Sequence, residues 1–148
     1  AVELGVRNIV PVSTERSVVK LDEKNTSRKL IHWQSVVIGA CEQSGRLLVP
    51  QIAESVELER FLTHIDSDVG LKLLLDPMAE TSLRMLARPI GQKVLLLVGP
   101  EGGLSDTERA AAQRVGFQGV RLGPRILRTE TAGLVALSIL QSLWGDLG

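Results

Sequence analysis

The sequence is poor in the residues from which disulfides and transition-metal sites are built. Its 148 residues include one cysteine, Cys41, and two histidines, His32 and His64. A single cysteine excludes an internal disulfide, and so few thiol and imidazole groups argue against a zinc site. Cys41 falls on an apolar helical stripe, where a packing role is more common than a nucleophilic one. We therefore expect no metal.

Aromatic residues and net charge are scarce as well. The chain has two tryptophans, two phenylalanines and no tyrosine, which argues against an aromatic platform for stacking bases. Lysine plus arginine equals aspartate plus glutamate, 17 of each, so the formal net charge is zero. No overall field draws this chain to nucleic acid or to a membrane surface. An RNA partner would have to be bound through a local patch.

Long hydrophobic runs are absent too. No apolar stretch approaches the roughly 18 residues of a membrane span. The first residues mix Val2 and Leu4 with Glu3 and Arg7, which is unlike a secretion signal. We predict a cytoplasmic protein without membrane contact. Because the chain opens with Ala1 and what reads as the end of a helix, we expect that something upstream is missing.

What the sequence does contain is an alternation of short apolar strands with helices. It predicts an α/β fold with a mostly parallel sheet and helices on both faces. Ser105 followed by Glu108 forms the pattern of a capping box, which marks a helix start. The last helix is apolar nearly all round, so we expect a second subunit to cover it. Strands are predicted at 8–12, 71–76, 93–99 and 119–123, and helices at 26–45, 55–62 (capped by Ser55), 80–87, 105–116 and 129–144.

Three of the predicted strands end in turns of special composition, at 75–77, 99–103 and 122–125. Ligands of open α/β sheets gather at the carboxyl ends of the strands. Glycine lets the backbone approach a ligand closely, and proline holds a turn rigid. Each turn alone is more often just a tight turn, but together they indicate a divided pocket for a small molecule. They lack the GxGxxG and phosphate-loop patterns, so nicotinamide binding and nucleotide hydrolysis fit poorly.

Two charged clusters are candidates for chemistry. In "RILRTETAG", Arg125 and Arg128 precede an apolar helix, where their charge opposes the helix dipole. They suit a phosphate, a carboxylate or an RNA backbone, although an ion pair with Glu130 is an equally good reading. In "CEQSGR", Glu42 and Arg46 close an amphipathic helix. That cluster is either part of a site or a solvated helix end.

The motifs together resemble those of the RsmE family. "ELGV", "CEQSGR", "GPEGG", "LGPRILRTETA" and "GDLG" occur in the family's order, and "GPEGG" with "RILRTETA" is highly specific. The likeness runs from Glu3 to Gly148 and is weak over 51–92. This family comprises methyltransferases that act on uridine N3 in small-subunit (16S) ribosomal RNA, within the knotted SPOUT superfamily. The resemblance implies that the partner is ribosomal RNA or the small ribosomal subunit.

The resemblance also implies a fold and a cofactor. In such proteins the C-terminal chain threads a loop to form a deep trefoil knot, a rare exception to the rule against knots. S-adenosylmethionine (SAM) lies bent in the knot, and backbone groups and apolar side chains hold its adenine. Carried over by position, the cofactor-binding residues are Leu75, Pro77, Val98, Gly99, Pro100, Glu101, Gly102, Gly103, Leu122, Gly123, Ile126, Leu127 and Arg128.

Members of this family dimerise through the knot and the last helix, so the resemblance implies a homodimer with an active site drawn from both subunits. Glu42, Gln43 and Arg46 would then come from the partner and position the target base or its phosphate. Uracil N3 carries a weakly acidic proton, which Glu42 or Glu130 is expected to accept. Arg46, Arg125 or Arg128 is expected to stabilise negative charge on the base. These five residues are the predicted catalytic set.

Two features of the family are not found in this sequence, namely the N-terminal PUA-like RNA-binding domain and the first strand of the knot domain with most of its helix. We therefore predict that residues 1–148 form a SPOUT methyltransferase domain. One alternative is a non-catalytic RNA-binding or dimerisation module of the same fold. Another is a SPOUT RNA methyltransferase that acts on a ribose or on a different base.

Overall fold

The computed structural model describes residues 1–17, 23–89 and 93–148 of the chain. Within these ranges it contains seven strands, four α-helices and one short 3-10 helix. The strands are β1 (Asn8–Ile9), β2 (Val12–Ser13), β3 (Gln51–Ile52), β4 (Val56–Glu57), β5 (Leu71–Leu75), β6 (Val94–Leu97) and β7 (Gln118–Val120). The α-helices are α1 (Glu23–Ser44), α2 (Leu58–Leu62), α3 (Asp106–Arg114) and α4 (Thr129–Trp144), and the 3-10 helix is Leu83–Met85.

The central sheet has three parallel strands in the order β6-β5-β7. Side chains of β5 alternate between the two faces of this sheet, as in any strand. Leu73 belongs to the same buried cluster as Leu140 of α4, whereas Leu74 belongs to a second cluster with Ala112 of α3. The sheet is therefore covered by a helix on each face. The predicted α/β fold with a flanked parallel sheet is confirmed, and the trefoil knot stays a prediction.

The amino-terminal part forms two smaller parallel pairs, β1 with β3 and β2 with β4. The strand predicted over 8–12 is therefore split in two, and the break falls at Val10–Pro11. Proline has no amide hydrogen for a sheet ladder, which explains why the pairing changes there. After the break, the amide of Val56 donates to the carbonyl of Pro11 (3.1 Å) and starts the second pair.

Two of the predicted helices are shortened by pairing with distant strands. The helix predicted from Ser55 begins only at Leu58, because the two residues before it join β2 as strand β4, so Ser55 does not cap it. The predicted helix at 80–87 is reduced to the 3-10 helix. There the amide of Arg121 donates to the carbonyl of Thr81 (2.9 Å), and the amide of Leu83 donates to the carbonyl of Arg121 (3.3 Å). These tertiary hydrogen bonds override local helix propensity.

The other helix predictions agree better with the structure. Helix α1 begins three residues before the predicted start at 26 and ends one residue before the predicted end at 45, and α4 has the predicted bounds. Helix α4 still exposes Leu134 and Leu143. Within the part of the chain that the structure describes, every helix is too short or too polar to span a bilayer. On the surface, Lys93 donates to Asp68, and this hydrogen bond raises the pKa of Lys93.

The capping box of α3 is confirmed and carries an additional contact. The amide of Glu108 donates to Ser105 Oγ (3.2 Å), and the amide of Ser105 donates to Glu108 Oε2 (2.9 Å). The second carboxylate oxygen, Oε1, accepts from the amide of Glu15 (2.9 Å). Glu108 is only 4% exposed, so this carboxylate is buried with both oxygens hydrogen-bonded. It links the loop after β2 to the start of α3.

Replacing Ser105 with alanine is expected to lower the free energy of unfolding by about 1 kcal/mol, because a buried helix end loses its cap. Glu108→Ala is expected to cost about 2–3 kcal/mol, because the amides of Ser105 and Glu15 both lose their acceptor. Urea denaturation measures both values. Ser138→Ala serves as the control and should change the free energy of unfolding by less than about 0.5 kcal/mol. It removes a hydroxyl that donates to the carbonyl of Leu134 within α4. If Glu108→Ala costs no more than Ser105→Ala, the contact with Glu15 adds nothing.

Candidate functional site

Three segments meet at the carboxyl edge of the central sheet and enclose a cleft of about 350 Å³. They follow β5, β6 and β7, and their proximity results directly from the parallel pairing of these strands. We call this space the carboxyl-edge cleft. Its lining consists of residues 74–77, 98–101, 103–104, 120–123 and 125–129, together with Arg109 of α3 and Ala132 of α4.

The structure brings most of the predicted cofactor-binding residues into this lining. The members shared by the prediction and the lining are Leu75, Pro77, Val98, Gly99, Pro100, Glu101, Gly103, Leu122, Gly123, Ile126, Leu127 and Arg128. Gly102 is the exception. Its carbonyl accepts from Arg16 Nη1 (2.8 Å), and a Cβ built on Gly102 would lie 3.5 Å from Arg16 Cβ. This glycine faces the loop after β2, outside the cleft lining.

The turn at residues 99–103, between β6 and α3, is called the glycine turn and is stabilised by an internal hydrogen bond. The amide of Gly103 donates to the carbonyl of Pro100 (2.8 Å), and Gly103 has φ +68. Residues with a Cβ rarely adopt this left-handed conformation, which explains the glycine at this position. Leu104 and the Ser105 cap follow at once and are buried. The turn therefore presents main chain to the cleft while its far end is anchored in the core.

The third segment is fastened to the glycine turn. Thr129, the first residue of α4, donates from Oγ1 to the carbonyl of Gly99 (3.2 Å). The amide of Ala132 donates to the carbonyl of Arg128 (2.8 Å), which begins the helical hydrogen bonding. The Arg128 side chain makes no capping hydrogen bond. The start of α4 thus closes the cleft and leaves this guanidinium available at its rim.

The lining has a local excess of positive charge in a chain that is neutral overall. It holds four arginines, at 109, 121, 125 and 128, and two carboxylates, Asp76 and Glu101, which leaves a surplus of two positive charges (4 − 2). Arg125 and Arg128 are exposed. Guanidinium groups suit phosphate and other delocalised anions. The cleft therefore combines walls of leucine, valine and bare main chain with a cationic rim.

The structure does not bring the other predicted catalytic residues into this lining. Glu130 is exposed in the first turn of α4, and Glu42 is exposed near the end of α1. Arg46 donates from Nη1 to the carbonyls of Val2 (2.7 Å) and Val6 (2.8 Å). Within one chain, Arg46 therefore holds the amino-terminal turn, whose Val2 packs in a small core with Cys41.

Sequence reasoning missed an ion pair in the lining, between Asp76 and Arg109. Asp76 stands in a turn that was recognised, but nothing in the sequence connects it to a residue 33 positions later. Thr129, Ala132 and Arg121 were missed as well. Among the described residues, no group of three histidine, cysteine or acidic side chains is placed to hold a metal ion.

Comparison with known proteins gives consistent matches. A family model for the RNA methyltransferase domain matches residues 1–141. The chain is 36% identical over 147 residues to ribosomal RNA small subunit methyltransferase E of Buchnera aphidicola subsp. Schizaphis graminum, covering 99% of this chain and 59% of that protein. It is 34% identical to the Bacillus subtilis protein of the same name, covering 93% of this chain and 56% of the relative.

A solved structure is similar over nearly the whole chain. It is a ribosomal RNA small subunit methyltransferase E from Neisseria gonorrhoeae, bound to S-adenosyl methionine, with 43% identity and a TM-score of 0.91. The alignment covers 99% of this chain and 60% of the Neisseria chain. The chain thus spans less than two thirds of the length of these three relatives.

The two neighbouring glycines of the turn should respond differently to alanine. Gly103→Ala is expected to lower the free energy of unfolding by about 1 kcal/mol, because φ is positive there although the space is open. Gly102→Ala should be tolerated within about 0.5 kcal/mol, because the new methyl would make an ordinary contact with Arg16. Urea midpoints at constant slope measure the difference. Equal costs for the two variants would contradict the assigned turn geometry.

Proposed function

The chain belongs to the RNA methyltransferase domain family, and from that premise we propose that it transfers a methyl group from SAM to N3 of a uridine in small-subunit ribosomal RNA. The observation that carries this proposal is the carboxyl-edge cleft. Its walls are apolar and partly bare main chain, and its rim is rich in arginine. Relatives that share the family are named small subunit methyltransferase E.

The cleft fits the proposed cofactor in size and chemistry. Its volume of about 350 Å³ lies within the range of small-molecule pockets. Leu75, Val98 and Leu122 provide apolar surface for an adenosyl group. Gly99 and Gly103 lack side chains that would hold a ligand away from the main chain. The Neisseria relative, 43% identical, was solved with SAM bound. These features support SAM as the cofactor of this chain.

The remaining chemistry falls to side chains at the rim. SAM, when bound, supplies a methyl group that its sulfonium makes electrophilic. The protein then has to align a nucleophile with it, which is mainly a positioning effect. Arg125 and Arg128 line the cleft and are exposed. Their guanidinium groups would stabilise the anion of uracil that forms when N3 loses its proton.

The proposed substrate is RNA bound at the same rim. The chain has no net charge, so the surplus of two positive charges in the lining is a local patch of the kind that RNA binding requires. Glu130 stands two residues after Arg128 and is exposed. We propose Glu130 or Glu42 as the acceptor of the N3 proton. Since neither carboxylate lines the cleft of its own chain, RNA binding or a second copy would have to bring one close.

A homodimer is part of this proposal. Leu134 and Leu143 remain exposed on α4, and burial of such leucines against a second copy would be favourable by about 25 cal/mol per Å². Association through α4 would also allow Glu42 and Arg46 of the second copy to approach the cleft. Analytical ultracentrifugation tests the dimer, and Leu134→Glu is expected to dissociate it.

Cofactor binding can be blocked by filling the cleft. Ala132 lines it, and Ala132→Phe is expected to weaken SAM binding at least about tenfold because the ring would occupy ligand volume. Isothermal titration measures the dissociation constant. Thr131→Phe adds the same ring one residue earlier, at an exposed position outside the lining, and should bind SAM as the unmodified chain does. Unchanged affinity in Ala132→Phe would argue against SAM in this cleft.

Arg128→Ala is expected to reduce methyl transfer by about tenfold to a hundredfold while SAM affinity changes less than threefold. The reason is that its charge would act on the base. Helix α4 should survive, since this side chain makes no cap hydrogen bond. Turnover of the full-length protein on small-subunit RNA, with the product identified by mass spectrometry, is the measurement.

Arg114→Ala removes an equal charge from an exposed site at the end of α3 and serves as the control. Normal turnover of Arg128→Ala would remove this residue from the catalytic set. A ribose-methylated product would favour a different target, and a wild-type protein that binds RNA without methylating it would favour a non-catalytic module.

A further inference from the structure

Asp76 and Arg109 form an ion pair inside the carboxyl-edge cleft. Asp76 follows β5 directly, Arg109 lies on α3, and both line the cleft. The side chain of Asp76 is 13% exposed and that of Arg109 is 33% exposed. The pair is therefore partly shielded from water. An ionic contact in such a place is stronger than one on an open surface. The family motifs quoted above include neither residue.

Asp76 is held from several directions. Its Oδ2 accepts from Arg109 Nη1, and its Oδ1 accepts from the amide of Met78 (2.9 Å). Its own amide donates to the carbonyl of Val120 in β7 (2.9 Å), and its carbonyl accepts from the amide of Ala79 (3.1 Å). Both carboxylate oxygens are engaged, so the group is arranged to hold the turn at 76–79 in place.

Arg109 lies in the first turn of α3, shortly after the glycine turn. It is the residue after Glu108 of the capping box, and its amide donates to the carbonyl of Ser105 (2.9 Å). Ser105 follows the glycine turn with only Leu104 between them. A movement of Arg109 together with the first turn of α3 would therefore also move the glycine turn. The ion pair connects the first wall of the cleft, after β5, to the second wall, after β6.

We propose that the Asp76–Arg109 pair is a positioning device that sets the separation of these two walls and thereby the affinity of the cleft for SAM. This inference rests on the proposed function. The pair also neutralises Arg109, which leaves Arg121, Arg125 and Arg128 as the other arginines of the lining for the anionic substrate. Loss of either partner would leave an uncompensated charge in a partly buried position, so each single change should be costly.

A double-mutant cycle tests the pair. Asp76→Asn, Arg109→Gln and the double variant are compared by titration with SAM. Each single variant is expected to weaken SAM binding at least about fivefold. The double variant should bind SAM no more weakly than the single variant with the lower affinity, because both single changes remove the same interaction. Single variants within twofold of wild type, or fully additive losses, would overturn the inference.

The chain offers a matched control pair on its surface. Asp68 and Lys93 are 59% and 57% exposed and do not line the cleft. Asp68→Asn and Lys93→Gln remove the same kind of charges, and surface pairs contribute little. Both should bind SAM within twofold of wild type. If they weaken binding as much as the cleft variants do, the effect is a general one of charge and the inference fails.

Hydrogen exchange of the ligand-free protein separates this inference from the proposed function. The amide of Met78 bonds to Asp76 on one wall, and the amide of Gly103 closes the turn on the other. Arg109→Gln is expected to accelerate exchange at both amides, and Lys93→Gln at neither. If the wild-type protein fails to bind SAM, the proposed function is wrong. Exchange at these two amides still shows whether the ion pair couples the two walls of the cleft. Lowered thermal stability with unchanged exchange at Met78 and Gly103 would show a merely structural pair.

Discussion

The parallel pairing of β5 with β6 on one side and β7 on the other is the constraint on which the rest of this molecule depends. It places the carboxyl ends of all three strands at one edge. The three turns at 75–77, 99–103 and 122–125 are separated by 21 and 18 intervening residues in the chain, yet they line a single cleft. With Leu73 and Leu74 buried on opposite faces, a register shift of β5 would expose core leucines, so this edge is energetically well defined.

The cleft walls are tied to one another by polar contacts that use few side chains. Thr129 joins the start of α4 to the carbonyl of Gly99. Glu108 joins the start of α3 to the loop after β2, and Arg16 of that loop bonds to Gly102. The glycine turn is thus held both by the start of α4 and by the loop after β2. A turn held in this way can present bare main chain to a ligand without ordering itself on binding, which favours affinity.

Charge is distributed unevenly in a chain whose formal charge is zero. The arginines of the cleft have different tasks. Arg109 is paired with Asp76, whereas Arg125 and Arg128 are exposed at the rim. Arg46, grouped with them from the sequence, instead bonds to carbonyls of the amino-terminal turn. Residue type alone indicates an anion site, and the partners of each guanidinium decide which arginines are available for it.

Local features of this protein could be read from its sequence. The bounds of α4, the capping box at Ser105, the three special turns and the family motifs all depend on residues a few positions apart. Only the tertiary structure decided that Gly102 faces Arg16, that strand pairing shortens the helices near 55 and 80, and that Asp76 meets Arg109. Each of these results from a contact between residues far apart in the chain. Such contacts leave no periodic or compositional pattern, because their energy exists only once the sheet has brought the segments together.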